Sequence, residues 1–521
     1  MESKNYLGLM KEVKPNWPLI VFLSIIKFVL PFLLQSSVYE LHRDEYLYYQ
    51  QGQHVALGYL ENPPLLSYLG TISSLFGGSE FSIKFWPALF GALTLATTCS
   101  IAAAFGGKFF AQLLSGLAIM TGAYLRMHFL FQPNVLDLFF WSVCVYFLVK
   151  YINSKKVKFF YGFAVSAALG VWSKYSIAFF IAAMALALLF SRHRFMYTKR
   201  FFYKACLVAL LIISPNVWWQ YQHKWPLVHH MQELQQTQLR FLSPLDFIKD
   251  QLLYLLPAVF VWITGLVWLY KKREWRFLGI GYLLVIVLLM LGHGKSYYAM
   301  GIYSMLLAAG GTSLEQWTVR RRGWRPALTI LVIALSIPLV PMLLPVWPPQ
   351  QLSEFYKRNK IEKTGELKWE DRQNHSLPQD FADMLGWKEL SDKAEIFFKN
   401  LPDSIKAKTI VYCMNYGQAG ALKFYAKDVE FSESVQTFNG SFLLWTPHAL
   451  AFNNLLFISD RPLETRDRLF EYFKSWKQID SVTNVYSRQL GNGLFFFENV
   501  TDSGLVYFNE RMKQRKAQFR R

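Results

Sequence analysis

Three carboxylates and an arginine crowd a short stretch of a very apolar chain. Arg43, Asp44 and Glu45 lie in Leu41-His-Arg-Asp-Glu-Tyr-Leu-Tyr-Tyr49, and Glu61 opens Glu61-Asn-Pro-Pro-Leu65. Charges beside a membrane span are costly unless they face water or a site. The two prolines force an extended turn, since each fixes its own φ and biases the preceding residue away from helix. A carboxylate at a membrane–water boundary can serve as general base toward a hydroxyl, provided it stays ionised and reaches the nucleophile. Asp44 and Glu45 are the candidates for that work. The competing reading makes them first-turn acids favoured by a helix dipole, with Tyr46, Tyr48 and Tyr49 as an interfacial aromatic belt. Glu61 offers a second carboxylate, for substrate or for a divalent cation, against the plainer reading of a turn acid.

Further polar residues stand at span ends. Asp137, in Phe131-Gln-Pro-Asn-Val-Leu-Asp137, needs a partner at its depth, and Arg126, His128 or Lys174 could supply one. Lys174 and Lys295, the latter before Tyr297 and Tyr298, are cations in very short loops. Each could give an anionic lipid phosphate charge-assisted hydrogen bonds, or simply snorkel to the headgroups. The stretch Asn216–His230 carries His223, His229 and His230 among tryptophans. Its spacing defines no metal site, so packing interfacial aromatics is the simpler reading. The glycine pairs Gly77-Gly78, Gly106-Gly107 and Gly310-Gly311 do not form a phosphate-binding loop, and nucleotide binding has no support.

The elements that must position these residues follow from composition. The 521 residues are 53% hydrophobic and 17% aromatic but only 17% charged, with mean hydropathy +0.19. That is too apolar for an ordinary soluble protein, and the apolar segments stop near Pro349. Residues 1–348 hold 30 Lys and Arg against 13 Asp and Glu; residues 349–521 hold 25 against 22. The net charge of +20 therefore belongs to the membrane half, where loop charge sets topology, and does not indicate nucleic acid. Cys99, Cys144, Cys206 and Cys413 make no disulfide framework.

Segments apolar enough to span a bilayer run roughly over 17–36, 83–105, 109–126, 135–150, 159–173, 175–190, 203–220, 251–270, 277–292, 296–314 and 326–347. That is eleven spans, the first read as an anchor and not as a cleaved signal. One set of alternating loops, with the N-terminal Lys4, Lys11 and Lys14, carries 21 basic residues and the opposite set seven. The basic set is then cytoplasmic. An odd number of spans places residues 349–521 outside, with Asp44, Glu61, Asp137, Lys174 and Lys295 on the same face.

The expected architecture is a polytopic α-helical membrane domain over 1–348, with a first external loop at 37–82. A soluble extracytoplasmic α/β domain follows over 349–521. Within it Thr409–Met414, Phe442–Trp445, Asn454–Ile458 and Gly493–Glu498 read as strands, Gln418–Tyr425 as a helix, and Arg511–Arg521 as a basic tail.

Taken in order, Arg43-Asp-Glu-x-x-Tyr-Tyr49, Glu61-x-Pro-Pro-Leu65, Gln132-Pro-x-x-x-Asp137, Ser173-Lys-Tyr175 and Gly294-Lys-x-Tyr-Tyr298 resemble the GT-C glycosyltransferases. The nearest likeness is to the bacterial branch of the dolichyl-phosphate-mannose protein mannosyltransferase superfamily, which includes the lipid A aminoarabinose transferases. Asn415-Tyr-Gly-Gln-Ala-Gly-Ala-Leu422 is similar to a further segment of these proteins. The resemblance implies a GT-C fold of about 11 to 13 membrane helices in the cytoplasmic (inner) membrane. It also implies transfer of a sugar from a polyprenyl-phosphate donor to a lipid, glycan or protein acceptor of the cell envelope, in an inverting displacement. Asp44 would be the base, with Glu45 and Glu61 the other catalytic candidates. Glu61 and Asp137 would organise acceptor, sugar or a divalent cation, and Lys295, with Lys174 or Arg126, would hold the phosphate. Arg43, Tyr48, Tyr49, His128, His223, Tyr297 and Tyr298 complete the expected substrate surface. One departure stands out: aminoarabinose transferases carry Lys where this chain has Asn62, which argues against that substrate. A transporter or flippase of lipid-linked anions, or a non-catalytic envelope scaffold, are the alternatives.

Overall fold

A computed structural model describes residues 13–519 apart from 238, 240–242, 462 and 464–466. Lys4, Lys11, Arg240, Arg520 and Arg521, all counted above, lie outside the described residues.

Apolar sequence with no water to satisfy its backbone must bond internally, and the membrane half is helical throughout. Among the described residues, Trp17–Leu34, Glu80–Ala104, Pro133–Ser154, Arg200–Gln222 and Trp324–Leu343 are long and apolar enough to cross a membrane. Pro244–Leu253 and Leu256–Lys271, bent by 67°, add a sixth if the pair is one span. Phe109–Ile119, Val157–Ser173, Ile177–Leu189 and Arg276–Leu291 are shorter apolar helices. The expected span at 296–314 starts as a 3-10 helix over Ser296–Ile302 and turns α-helical only from Tyr303. Small residues bring two helices into backbone contact: a Cβ on Gly265 would lie 2.0 Å from Leu306 O, and one on Gly310 1.9 Å from Val261 O. The protein is a multi-pass membrane protein.

The bundle has two chemically different ends. At one, Glu315 accepts the backbone N–H groups of Lys108 and Phe110, Asn153 donates to Ala104 O, and His193 meets Glu274 O. These contacts gather the basic loops. At the other end the 37–82 segment folds back as two helices, Arg43–Gln53 and Leu65–Leu75, under the C-terminal sheet domain.

That domain has a five-stranded sheet: β1 (Thr409–Cys413), β2 (Val435–Gln436), β3 (Asn454–Ile458), β4 (Phe473–Ser481) and β5 (Gly493–Val500), in the order β2-β1-β3-β5-β4. β1 pairs in parallel with β2 and β3, while β5 runs antiparallel to β3 and β4. Strand alternation splits the core. Val411, Cys413, Leu456, Ile458, Leu494 and Phe496 face the core continuous with the bundle; Leu455, Phe457, Phe495 and Phe497 pack with Phe508 and Met512 of the C-terminal helix. The expected strand at Phe442–Trp445 is instead a 3-10 helix, Gly440–Leu444. A short apolar run cannot distinguish the two by periodicity. Here Gly440, at φ +60°, turns the chain so that Phe442 and Leu443 enter different cores. The edge strand β4 was not legible, because its five residues Lys474–Gln478 are exposed and polar or isolated aromatics.

Candidate active site

Asp44 sits in the first turn of Arg43–Gln53, whose start is fixed by reciprocal bonds. His42 Nδ1 accepts the Asp44 N–H at 3.1 Å, and Glu45 Oε2 accepts the His42 N–H at 2.7 Å. Asp44 Oδ1 accepts from the Tyr416 hydroxyl at 2.8 Å and faces Arg43 Nε at 3.5 Å; Oδ2 accepts from Gln132 Nε2 at 3.2 Å. Its side chain keeps 23% exposure, so the carboxylate is directed by neighbours yet still reachable. Burial pushes its carboxyl up, but His42, the Arg43 guanidinium and the Tyr416 hydroxyl outweigh that and hold it below the usual range.

Glu45, one residue on, points the other way. It is wholly buried, takes Lys84 Nζ at 2.8 and 2.7 Å on its two oxygens, and also accepts the Phe131 N–H at 2.6 Å. With the His42 N–H this occupies both oxygens. Lys84, a membrane-helix cation, also lies 4.1 Å from the Phe129 ring. The geometry gives Glu45 a structural position and leaves Asp44 as the carboxylate open to a substrate.

Glu61 is clamped across the two parts of the protein. Its Oε1 accepts the Ser441 N–H at 2.8 Å; its Oε2 accepts Ser441 Oγ at 2.5 Å and Gln51 Nε2 at 3.0 Å. A Cβ on Gly440 would fall 2.5 Å from Glu61 Oε1, so only glycine admits this approach. Burial raises the Glu61 carboxyl despite these bonds. Among the described residues, no group of three His, Cys, Asp or Glu side chains is arranged to hold a metal ion. Asn62, where the lysine of aminoarabinose transferases would stand, is buried and turns its amide onto Pro63 O.

The cations divide into spent and available. Arg126 is spent: Nε and Nη2 hold Asp380 Oδ2, the former at 2.8 Å, and Nη1 holds Glu366 Oε1 at 2.9 Å. It ties the bundle to the C-terminal domain, and its guanidinium is already paired with two carboxylates. Lys174 Nζ reaches Asn134 Oδ1 and lies 4.0 Å above the Tyr298 ring and 5.2 Å from that of Tyr297. The Lys295 side chain has no ion pair or hydrogen bond among the described residues. Burial lowers its ammonium, opposed by the fields of Glu370, Asp44 and Asp380. Burial, with the charge of Asp44, holds the Tyr48 hydroxyl well above its ordinary range.

Asp137 accepts Trp141 Nε1 at 2.8 Å and Ser176 Oγ at 2.7 Å beneath Lys174. Three expected residues turn elsewhere. Tyr49 packs edge-on against Phe424, 5.5 Å between ring centroids, because its side of the helix meets the C-terminal domain. His223 stacks on Trp219 at 4.0 Å and holds Trp219 O at the end of its helix. His128 is fully buried against Tyr124, pressed onto Gly91. Reasoning from sequence passed over Tyr416, Ser441, Gln132 and Asn134 as site residues. The signal for Tyr416 was the Asn415–Gln418 capping pair, which fixes the helix start carrying it.

Comparison with known proteins bears on the fold. A family model described as dolichyl-phosphate-mannose-protein mannosyltransferase matches residues 61–219. The lipid A galacturonosyltransferase RgtD of Rhizobium johnstonii (strain DSM 114642 / LMG 32736 / 3841) is 23% identical over 311 residues. That match spans 57% of this chain and 65% of RgtD, just short of two thirds of its length. Crystal structures of ArnT from Cupriavidus metallidurans, bound to undecaprenyl phosphate and in the apo state, superpose with TM-scores of 0.59 and 0.57 at 14% identity. Each covers 92% of this chain and 97% of ArnT. The chain therefore shares the fold of ArnT over nearly its whole length, C-terminal domain included.

Proposed function

We propose that this protein is a glycosyltransferase that moves a sugar from a polyprenyl-phosphate donor to a hydroxyl acceptor of the cell envelope. The reaction would take place at the outer face of the cytoplasmic membrane, where the bundle meets the extracytoplasmic C-terminal domain. The observation that carries the reading is a partly exposed Asp44, oriented by Tyr416 and Gln132 and held below the usual carboxylate range, with Lys295, whose side chain has no ion pair or hydrogen bond among the described residues, in its field.

Asp44 Oδ2 takes the proton of the acceptor hydroxyl as its oxygen attacks the anomeric carbon. The bond from that carbon to the phosphate oxygen breaks, and its electron pair leaves with the lipid phosphate. A phosphate leaving group needs no acid, only positive charge where its own negative charge grows. Lys295 supplies that charge, with Lys174 over the Tyr297 and Tyr298 rings as second contributor. A single displacement inverts the anomeric centre. Glu61, fixed by Ser441 and Gln51, orients acceptor or sugar hydroxyls.

The undecaprenyl phosphate bound to ArnT and the lipid A acceptor in the name of RgtD support a lipid-phosphate donor and an envelope acceptor. The test is Asp44→Asn in purified protein together with mass analysis of envelope lipids and glycans from cells lacking the gene. Abolished transfer with intact donor binding, and an accumulated polyprenyl-phosphate sugar, are expected. Full activity of both Asp44→Asn and Glu61→Gln would overturn the mechanism.

A further inference from the structure

The base of the proposed reaction belongs to the membrane half, yet one of its hydrogen bonds comes from 372 residues away. The Tyr416 hydroxyl donates to Asp44 Oδ1 at 2.8 Å. Tyr416 is the first residue of the helix Tyr416–Tyr425, and its backbone is held on all sides. Asn415 caps the helix through Gln418 N–H, Gln418 Oε1 returns to the Asn415 and Met414 N–H groups, and Asn439 Oδ1 takes the Tyr416 N–H at 3.3 Å. The ring lies under the Arg43 guanidinium at 5.6 Å. Gly417 lets Arg43 pass, since a Cβ there would meet Arg43 Cγ at 2.4 Å, and Gly420 lets Tyr46 pack, since a Cβ there would fall 2.8 Å from Tyr46 Cβ. The helix is thus seated on the acidic helix with little room to shift.

We propose that Tyr416 is the positioning residue of the catalytic base: by occupying Asp44 Oδ1 it turns Oδ2 toward the acceptor hydroxyl. The inference rests on the glycosyltransferase reading and adds that the C-terminal domain completes the active site. Gln132 uses one lone-pair direction of Oδ2 at 3.2 Å and leaves the other for the acceptor. Burial and the Asp44 charge hold the Tyr416 hydroxyl far above its ordinary range, so it acts as a neutral donor and not as a competing acid. Tyr416 does not touch the reacting atoms, and no proton passes through it.

The experiment compares Tyr416→Phe with the parent and with Asp44→Asn, all full length, in transfer assays with polyprenyl-phosphate sugar across pH. A lost hydroxyl donor to a charged acceptor is expected to lower kcat about 10-fold and to leave the donor KM within about 2-fold. It also removes one contact that favours ionised Asp44. The acid limb of the kcat/KM profile should then move up by about one pH unit, whereas a purely structural defect lowers activity equally at every pH. Unfolding in detergent, compared with parent, shows whether the variant folds. Should Tyr416→Phe not fold, Asn439→Ala, which loosens only the Tyr416 backbone anchor, is expected to give a smaller shift of the same sign. An unshifted acid limb in folded Tyr416→Phe, with Asp44→Asn inactive, overturns the positioning role alone. An active Asp44→Asn overturns the underlying reaction.

Discussion

Replacing Lys84 by Met tests whether Glu45 is structure or chemistry. Glu45 is fully buried and accepts two contacts from Lys84 Nζ and one each from the Phe131 and His42 N–H groups. Removing one partner of such a pair leaves an uncompensated buried charge and costs about 3–5 kcal/mol. That is about a third of the whole stability of a typical domain. Glu45→Gln is expected to cost a similar amount, because its amide turns a donor toward an ammonium or a backbone N–H. In the double variant Lys84→Met/Glu45→Gln both charges are gone, and one amide oxygen still serves one of the two N–H groups. The remaining loss is then about 1–2 kcal/mol for the group left over. The singles should sum to well above the double, a coupling far outside the about 0.5 kcal/mol expected of independent sites. The assay is chemical unfolding in mixed micelles, with transfer rates normalised to folded protein. Single variants as stable as the parent but devoid of transfer would refute the reasoning and return Glu45 to the chemistry.

Four further outcomes follow from the structure. Lys295→Ala should lower kcat/KM for the lipid-phosphate donor about 10- to 100-fold, the worth of one charge-assisted hydrogen bond. In the parent, activity should fall on the basic side below the usual lysine range, because burial lowers that ammonium. Arg126→Gln leaves Asp380 and Glu366 facing each other and should loosen the C-terminal domain by about 1–3 kcal/mol, after discounting for partial exposure. Limited proteolysis after residue 349 reads this, and a donor KM raised more than about 10-fold would instead make Arg126 a phosphate ligand. Glu40 accepts the N–H groups of Trp387 and Lys388, and burial raises its carboxyl to about 7. The folded protein then binds more protons than the unfolded chain between the ordinary carboxylate range and pH 7, so stability falls as pH rises through that window. Glu40→Gln should flatten the fall in a thermal-unfolding series, and an unchanged slope would exclude Glu40 as its source.

The helical bundle was legible because apolar runs about as long as a bilayer is thick admit one solution. Loop charge predicts the polarity of its two ends, and Lys174 does stand over the Tyr297 and Tyr298 rings, as neighbours on one expected face should. What the sequence hid was the division of labour between neighbours. Asp44 and Glu45 look equivalent in a string, yet successive positions on a helix differ by about 100°, so one meets the sheet domain and the other Lys84. Arg126 read as a free cation because its partners, Glu366 and Asp380, lie 240 and 254 residues away. The strand at Phe442–Trp445 failed for a related reason: its conformation answers to Glu61, a residue of the other domain.

The contacts between the two parts share a chemical pattern. Glu40 meets two backbone N–H groups, Asp44 the Tyr416 hydroxyl, Glu61 the Ser441 N–H and hydroxyl, and Glu80 the Tyr425 hydroxyl at 2.9 Å. Each donor from the C-terminal domain is neutral. Lysines or arginines in those places would bind more tightly, but they would quench the charge that a base needs and push its proton affinity too low for the task. Neutral donors orient a carboxylate and leave its charge in place. Where the interface only has to hold, at Arg126 with Asp380 and Glu366, a full ion pair is used. The domain therefore grips the bundle through a full ion pair at Arg126, and through uncharged donors where the first loop carries its reactive acid.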